Sequence, residues 1–165
     1  MANQGKNFES DIKASMPKDV FYLRLKDSGG WQKSETTRFS SFNIADCLVY
    51  DGENLFVLEL KSHQGRSLPL SCIRQKQLEG LIDAGNFLNI VSGIVVNFRD
   101  VEQTYFLDAL DLKKFIDTSD RKSIPIDYFR EYGTVIQQVK KKVHYTYLMG
   151  TFLDLFRRNP IGQDF

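Results

Sequence analysis

The alternation of apolar and polar positions centres on one stretch, I-A-D-C-L-V-Y-D-G-E-N-L-F-V-L-E-L-K, residues 44–61. It predicts two strands, 46–50 and 54–61, joined by the turn signal Asp51-Gly52-Glu53. Leu48, Val49, Leu55, Phe56, Val57, Leu58 and Leu60 are apolar at odd and even positions alike, as expected of strands covered on both faces. The charges gather at the end away from the turn. With Gly52-Glu53 as the central turn residues, Asp46 lies directly across from Glu59. With Asp51-Gly52 central, it sits one diagonal step away on the same face. Period-two alternation adds Lys61 to that face, and a three-residue loop would remove Asp46 from it.

Upstream, Phe8, Ile12 and Met16 recur at i, i+4 and i+8, predicting a helix over 5–15 that Pro17 ends, with Glu9 beside the apolar stripe. Residues 20–26 read as a strand. The pattern then stops over 27–43, which is polar and rich in Gly, Ser and Thr yet carries Trp31, Phe39 and Phe42. A connection this long is usually functional or mobile. Lys26, Lys33 and Arg38 outnumber Asp27 and Glu35, and cations interleaved with aromatics suit phosphate contacts and stacking. A surface loop whose aromatics tuck back onto the domain is the plain alternative.

Downstream, 62–69 reads as a loop in which His63 is a solvated side chain, a ligand or a proton carrier. Residues 71–84 predict a helix stopped by Gly85, with Gln77 near its apolar stripe and Arg74 and Lys76 pointing outward. The β-branched run 89–98 predicts a central strand and 104–107 a short one. Asp108 or Asp111 then caps a helix ending near 115–118. A loop over 119–125, a helical turn over 125–132 and β patterning over 134–147 follow, the last around Lys140-Lys141-Lys142. A final helix over 147–158 leaves 159–165 as a frayed tail. The order predicts a single mixed α/β domain over 1–165, with helices covering a central sheet.

Composition narrows the class. At 165 residues, 42% hydrophobic and 26% charged, the chain has the makeup of one globular domain. A net charge of +1 restricts any nucleic-acid surface to local patches, such as Lys140-Lys141-Lys142, Arg157-Arg158 or Arg121-Lys122. Cys47 and Cys72 lack metal-type spacing and read as reduced core residues. The N-terminus has no apolar signal region and no apolar run reaches membrane-spanning length, so a soluble cytoplasmic protein without membrane contact is expected. Walker and Rossmann glycine loops, G-x-S-x-G and Cys-x-x-Cys are all missing from the sequence.

Two carboxylates on adjacent strands suit a hard divalent cation. A lysine on the same face could orient a water or stabilise charge on a phosphate oxygen. That composition fits phosphodiester hydrolysis. Strand-end acids beside a solvated lysine are the competing reading, because an acid followed a dozen residues later by Glu-x-Lys recurs by chance.

The surrounding text resembles a known family. The hairpin is similar to the Asp…Glu-x-Lys core of restriction-endonuclease-like nucleases, and its context resembles the RecU family of Holliday junction resolvases from low-GC Gram-positive bacteria and their phages. Gly5-Lys6-Asn7-Phe8-Glu9 resembles that family's opening Gly-x-x-(Phe/Leu)-Glu. Asp46 and Glu59-Leu60-Lys61 resemble its Thr-Asp-Tyr and Glu-Ala-Lys elements, and Arg74-Gln75-Lys76-Gln77-Leu78 its His-x-His-Gln-Ile helix. S-G-I-V-V-N-F and I-P-I-D-Y-F-R-E-Y-G match in order, so the likeness covers residues 4–150.

The resemblance implies a restriction-endonuclease-like mixed central sheet flanked by helices, with a protruding polar loop or stalk at 27–43. It implies a homodimer that nicks four-way DNA junctions with Mg²⁺ or Mn²⁺. Asp46 and Glu59 would hold metal, Lys61 would position the attacking water, Glu9 would be a further acid at the metal, and Gln77 would support the site. Lys26, Trp31, Lys33, Arg38, Arg74 and Lys76 would face DNA. The chain departs from the family in having Ala45 for its threonine, Arg74 and Lys76 for its helix histidines, and a shorter, less basic stalk. Those departures bear on junction recognition more than on the catalytic positions. A same-fold nuclease acting on other branched or linear DNA, and a non-catalytic DNA-bridging recombination accessory protein, are the competing functions.

Overall fold

The structure is a computed structural model, and it describes residues 4–25 and 43–157. The chain runs α1 (Gln4–Ala14), β1 (Phe21–Arg24), β2 (Cys47–Tyr50), β3 (Leu55–His63), β4 (Ser67–Pro69), α2 (Gln75–Gly85) and β5 (Ile90–Phe98). It continues with β6 (Gln103–Asp108), α3 (Ala109–Thr118), β7 (Ser123–Pro125), α4 (Ile126–Tyr132), β8 (Thr134–Ile136), β9 (Gln138–Lys141), β10 (His144–Tyr147) and α5 (Met149–Asp154). Residues 27–42 of the predicted stalk, with Trp31, Lys33 and Arg38, the preceding Lys26, and the predicted tail 159–165 lie outside the described residues.

Six strands form the central sheet in the order β1-β2-β3-β5-β6-β8. β3 and β5 pair in parallel through α2 as the crossover, and the other neighbours are antiparallel. Both faces of β3 are buried, as its unbroken apolar run requires. Phe56, Leu58 and Leu60 join Phe8 and Ile12 of α1 and Phe152 and Leu153 of α5 on one side. Val57 joins Leu78 and Leu81 of α2, Leu112 of α3 and Phe129 of α4 on the other. Helices therefore cover the sheet on both faces, as expected.

Several boundaries differ from the sequence pattern, for identifiable reasons. β3 continues to His63, two residues past the predicted end, because its parallel ladder with β5 runs unbroken to His63↔Phe98. The predicted loops at 62–69 and 119–125 contain β4 and β7, which pair with each other and bury Leu68 against Ile124. Three residues are too few to show a period. The helix predicted from residue 71 begins at Gln75, after a single 3₁₀ turn at Leu70–Cys72. The last helix closes at Asp154 rather than 158. Of the two candidate caps for α3 it is Asp108 whose carboxylate accepts the Leu110 amide, at 2.8 Å.

Candidate active site

The hairpin register sets the site. β2 and β3 pair from Tyr50↔Leu55 to Cys47↔Leu58, so Gly52 and Glu53 are the two loop residues, the first of the two predicted registers. Gly52 has φ +97°, a left-handed conformation that costs glycine nothing. Asp51 braces the turn with Oδ1, which accepts the amides of Glu53 (2.9 Å) and Asn54 (2.7 Å). One step past Cys47, Asp46 stands where the ladder ends. Its amide donates to Leu58 O at 3.0 Å, and its Oδ2 accepts the Leu60 amide at 2.7 Å. That carboxylate is thus fixed to β3 beside Glu59.

Glu59 is only 3% exposed. Its Oε1 accepts from Lys61 Nζ at 2.6 Å and from Gln77 Nε2 at 3.0 Å, so α2 and β3 grip one oxygen together. The other oxygen, Oε2, is buried without a hydrogen-bond partner among the described residues, and so is Gln77 Oε1. Desolvation, and next the charge of Glu59, push the Asp46 carboxyl up to about 6, against the pull of the Leu60 amide and Lys61. Two acids this close, with a buried carboxyl oxygen that has no hydrogen-bond partner among the described residues, are costly to keep ionised together. A hard cation would remove both costs. The residues fit one that takes oxygen ligands and keeps several waters. Among the described residues no three His, Cys, Asp or Glu side chains gather as a metal-holding group, so the fit rests on two carboxylates.

Glu9 enters from the other layer. Its Oε2 lies 2.7 Å from Arg24 Nη2 on β1, an ion pair at the sheet edge. It is still within electrostatic reach of the same strand end. The Cys47 thiol, pushed up to about 12 by burial first and Asp46 next, is also raised by Glu59 and Glu9. Arg24 was not nominated by the sequence pattern, although its place in the strand puts it on the same face as Cys47, with which it pairs. Arg74 and Lys76 are exposed at the start of α2, flanking the buried Gln77, as expected. His63 ends β3 away from the acids, its pKa lowered by burial and then by Arg99.

A close approach seats Gln77. A Cβ on Gly80 would come within 2.3 Å of Ile44 Cγ2 and 2.9 Å of its Cβ, so α2 lies against the segment leading to Asp46. Gly80→Ala must move the helix or Ile44. It is expected to lower stability by about 1–3 kcal/mol and to loosen the Gln77–Glu59 contact. Urea unfolding checks this, and an unchanged midpoint would show that Ile44 yields freely.

The comparisons with known proteins agree with this architecture. The family model for recombination protein U, RecU, matches residues 48–150, a span that holds Glu59, Lys61 and Gln77 and starts just after Asp46. The SPbeta prophage-derived uncharacterized protein YotM of Bacillus subtilis is 31% identical over 163 residues, 89% of this chain and 83% of that protein. The Holliday junction resolvase RecU of Streptococcus pneumoniae is 27% identical over 108 residues, 65% of this chain. The chain spans half the length of that relative. Among solved structures, Hjc of Archaeoglobus fulgidus, a Holliday junction resolvase, superposes with a TM-score of 0.55 at 15% identity, covering 79% of this chain and 95% of that one. That likeness shows the restriction-endonuclease-like fold. No helix among the described residues is long and apolar enough to cross a membrane. With a family match over most of its length and a relative aligned along nearly all of it, the chain belongs to the RecU family.

Proposed function

We propose that this chain is a metal-dependent endodeoxyribonuclease that resolves four-way DNA junctions, acting as a homodimer with one site for each of two opposed strands. One observation carries the reading. Glu59 is held by Lys61 and Gln77 through a single oxygen, while its second oxygen is buried next to Asp46 without a donor among the described residues. Family membership and the relatives' names supply the substrate class.

In this reading Asp46 and Glu59 hold Mg²⁺ or Mn²⁺. Such a cation, when bound, neutralises the scissile phosphate and lowers the pKa of the attacking water. The chain's own work is positional. The Leu60 amide fixes the Asp46 carboxylate, and Gln77 fixes Glu59 from the helix. Lys61, tethered by Glu59 Oε1 and partly exposed, presents its ammonium to the water or to the charge building on the phosphate. Glu9 is the third acid of this reading, and to join the cation its carboxylate has to exchange Arg24 for it. Arg74 and Lys76 flank Gln77 as phosphate contacts, and Lys26, Trp31, Lys33 and Arg38 belong to the stretch proposed to enter the junction. A two-fold dimer suits a two-fold substrate.

The test is side-by-side cleavage of a synthetic four-way junction and a linear duplex of the same sequence, with and without Mg²⁺. Paired nicks in the junction, dependent on Mg²⁺, are expected. Equal cutting of both substrates would replace junction resolution with a broader nuclease, and binding without cutting would leave a DNA-bridging protein.

A further inference from the structure

β9 and β10 form a sheet of their own, paired from Tyr147↔Gln138 to His144↔Lys141. It is pinned to the domain along its length, up to the residue beside the loop. Asp11 of α1 accepts the Tyr145 amide at 3.2 Å and meets His144 Nδ1 at 2.9 Å, and Ser15 Oγ accepts the Tyr147 amide at 3.0 Å. Glu102 takes Lys140 Nζ at 2.8 Å and the Tyr145 hydroxyl at 2.5 Å. The direction of the hairpin is thereby set.

Its tip is built differently. The two loop residues are Lys142 and Val143, where such loops favour Asn-Gly or glycine. Lys142 sits at φ +52°, a left-handed conformation unfavourable to a residue with a Cβ. Val143 is 86% exposed. Lys140 is neutralised by Glu102, but among the described residues Lys141 and Lys142 have no ion-pair partner. A tip selected for turn stability would not place adjacent like charges and a bare valine on a strained backbone. Retained strain of this kind points to a function.

The tip lies beside α1. Val143 and Tyr145 line a cleft of about 160 Å³ together with Asn7, Asp11, Ser62 and Arg99. Ser62 directly follows Lys61 on β3, and Arg99 Nη1 donates to its hydroxyl at 3.0 Å. Alternation along β3 puts Ser62, with Arg99, on the α1 side of the sheet and Glu59 and Lys61 on the α2 side, so this cleft and the candidate site open on opposite faces of β3.

We propose that the β9–β10 tip is a contact for duplex DNA outside the cleavage site. Lys141 and Lys142 hold backbone phosphates of an arm, and Val143 rests against the groove edge. This rests on the nuclease reading and adds to it a surface for duplex on the α1 side of the sheet. Cations around a small apolar residue at a hairpin tip match the chemistry of a DNA groove, with anionic walls and sugar edges between them.

The experiment is fluorescence anisotropy of a labelled four-way junction without divalent cation, over a series of salt concentrations. It compares the parent chain with Lys141→Gln/Lys142→Gln, with Lys113→Gln/Lys114→Gln on α3, and with Val143→Ser. Glutamine removes the charge, stays polar and keeps the backbone demand at 142, and circular dichroism confirms that each variant folds. The hairpin pair is expected to bind about tenfold more weakly, with a salt slope shallower by about 1.8, the loss of two phosphate contacts. The α3 pair should keep the parent slope, and Val143→Ser should weaken binding without changing it. Parent-like binding and slope in the hairpin pair, or the same drop in the α3 pair, overturns the hairpin contact and leaves the nuclease reading standing. A parent chain that binds no DNA overturns both.

Discussion

Lys61→Ala is expected to lower junction nicking by about a hundredfold to a thousandfold while leaving junction binding within about twofold. The size follows from what the ammonium touches. Lys61 Nζ sits 2.6 Å from Glu59 Oε1, so its charge is held beside the proposed reaction centre and only partly screened by water. Removing it takes away the cation that meets the water or the phosphate, and leaves that glutamate oxygen with Gln77 alone. Binding is spread over many phosphate contacts and loses at most one. Lys61→Arg separates two roles. An arginine keeps the charge but does not give up a proton at usable pH, so substantial recovery of nicking would mean charge stabilisation, and none would mean proton handling. Single-turnover cleavage and anisotropy on the same junction measure both quantities. Full nicking by Lys61→Ala would remove the residue from the mechanism.

Asp46→Asn is expected to do two opposite things: to abolish cleavage and to stabilise the cation-free protein at neutral pH. The Asp46 carboxyl rises from its ordinary 3.8 to about 6, chiefly through burial and then through Glu59. A folded-state pKa above the unfolded one means that the folded chain holds the proton longer. Stability from this group is therefore fully present below about pH 4 and is lost as pH climbs towards 6. At neutral pH the ionised pair costs up to about 3 kcal/mol. Asparagine keeps an acceptor for the Leu60 amide and has no charge to repel Glu59. Thermal melting without divalent cation should place Asp46→Asn above the parent at pH 7 and level with it near pH 4. Saturating Mg²⁺ should raise the parent and leave the variant nearly unmoved. A variant that melts at or below the parent at pH 7 would show that Asp46 is not held against its neighbour's charge.

Much of this was legible in the residues because the relevant distances are short along the chain. Counting from a two-residue loop placed Asp46 beside Glu59, and a 3.6-residue stripe placed Gln77 on the inner face of its helix. What stayed hidden depends on chain segments far apart in sequence. Nothing local says that Arg24 at the sheet edge pairs with Glu9 of α1, or that Gly80 lies against Ile44. β4 and β7 are strands only because they have each other. The lysines of 140–142 look like one charge run in sequence. Only the structure separates Lys140, bound to Glu102, from its two neighbours, which have no ion-pair partner among the described residues.

The order of the elements also sets an order in which the site comes into being. The β2–β3 hairpin closes a loop of two residues, whereas Gln77 reaches Glu59 only once α2 has docked on the sheet. Loop closure makes the first event the faster one. A chain still emerging from the ribosome can therefore have its two acids side by side while the glutamate lacks its amide tether and the sheet lacks its covering helix. Asp46 is already fixed to β3 by the Leu60 amide at that stage, whereas Glu59 waits for Gln77. The two proposed ligands are therefore finished at different times, the aspartate with the hairpin and the glutamate with the helix.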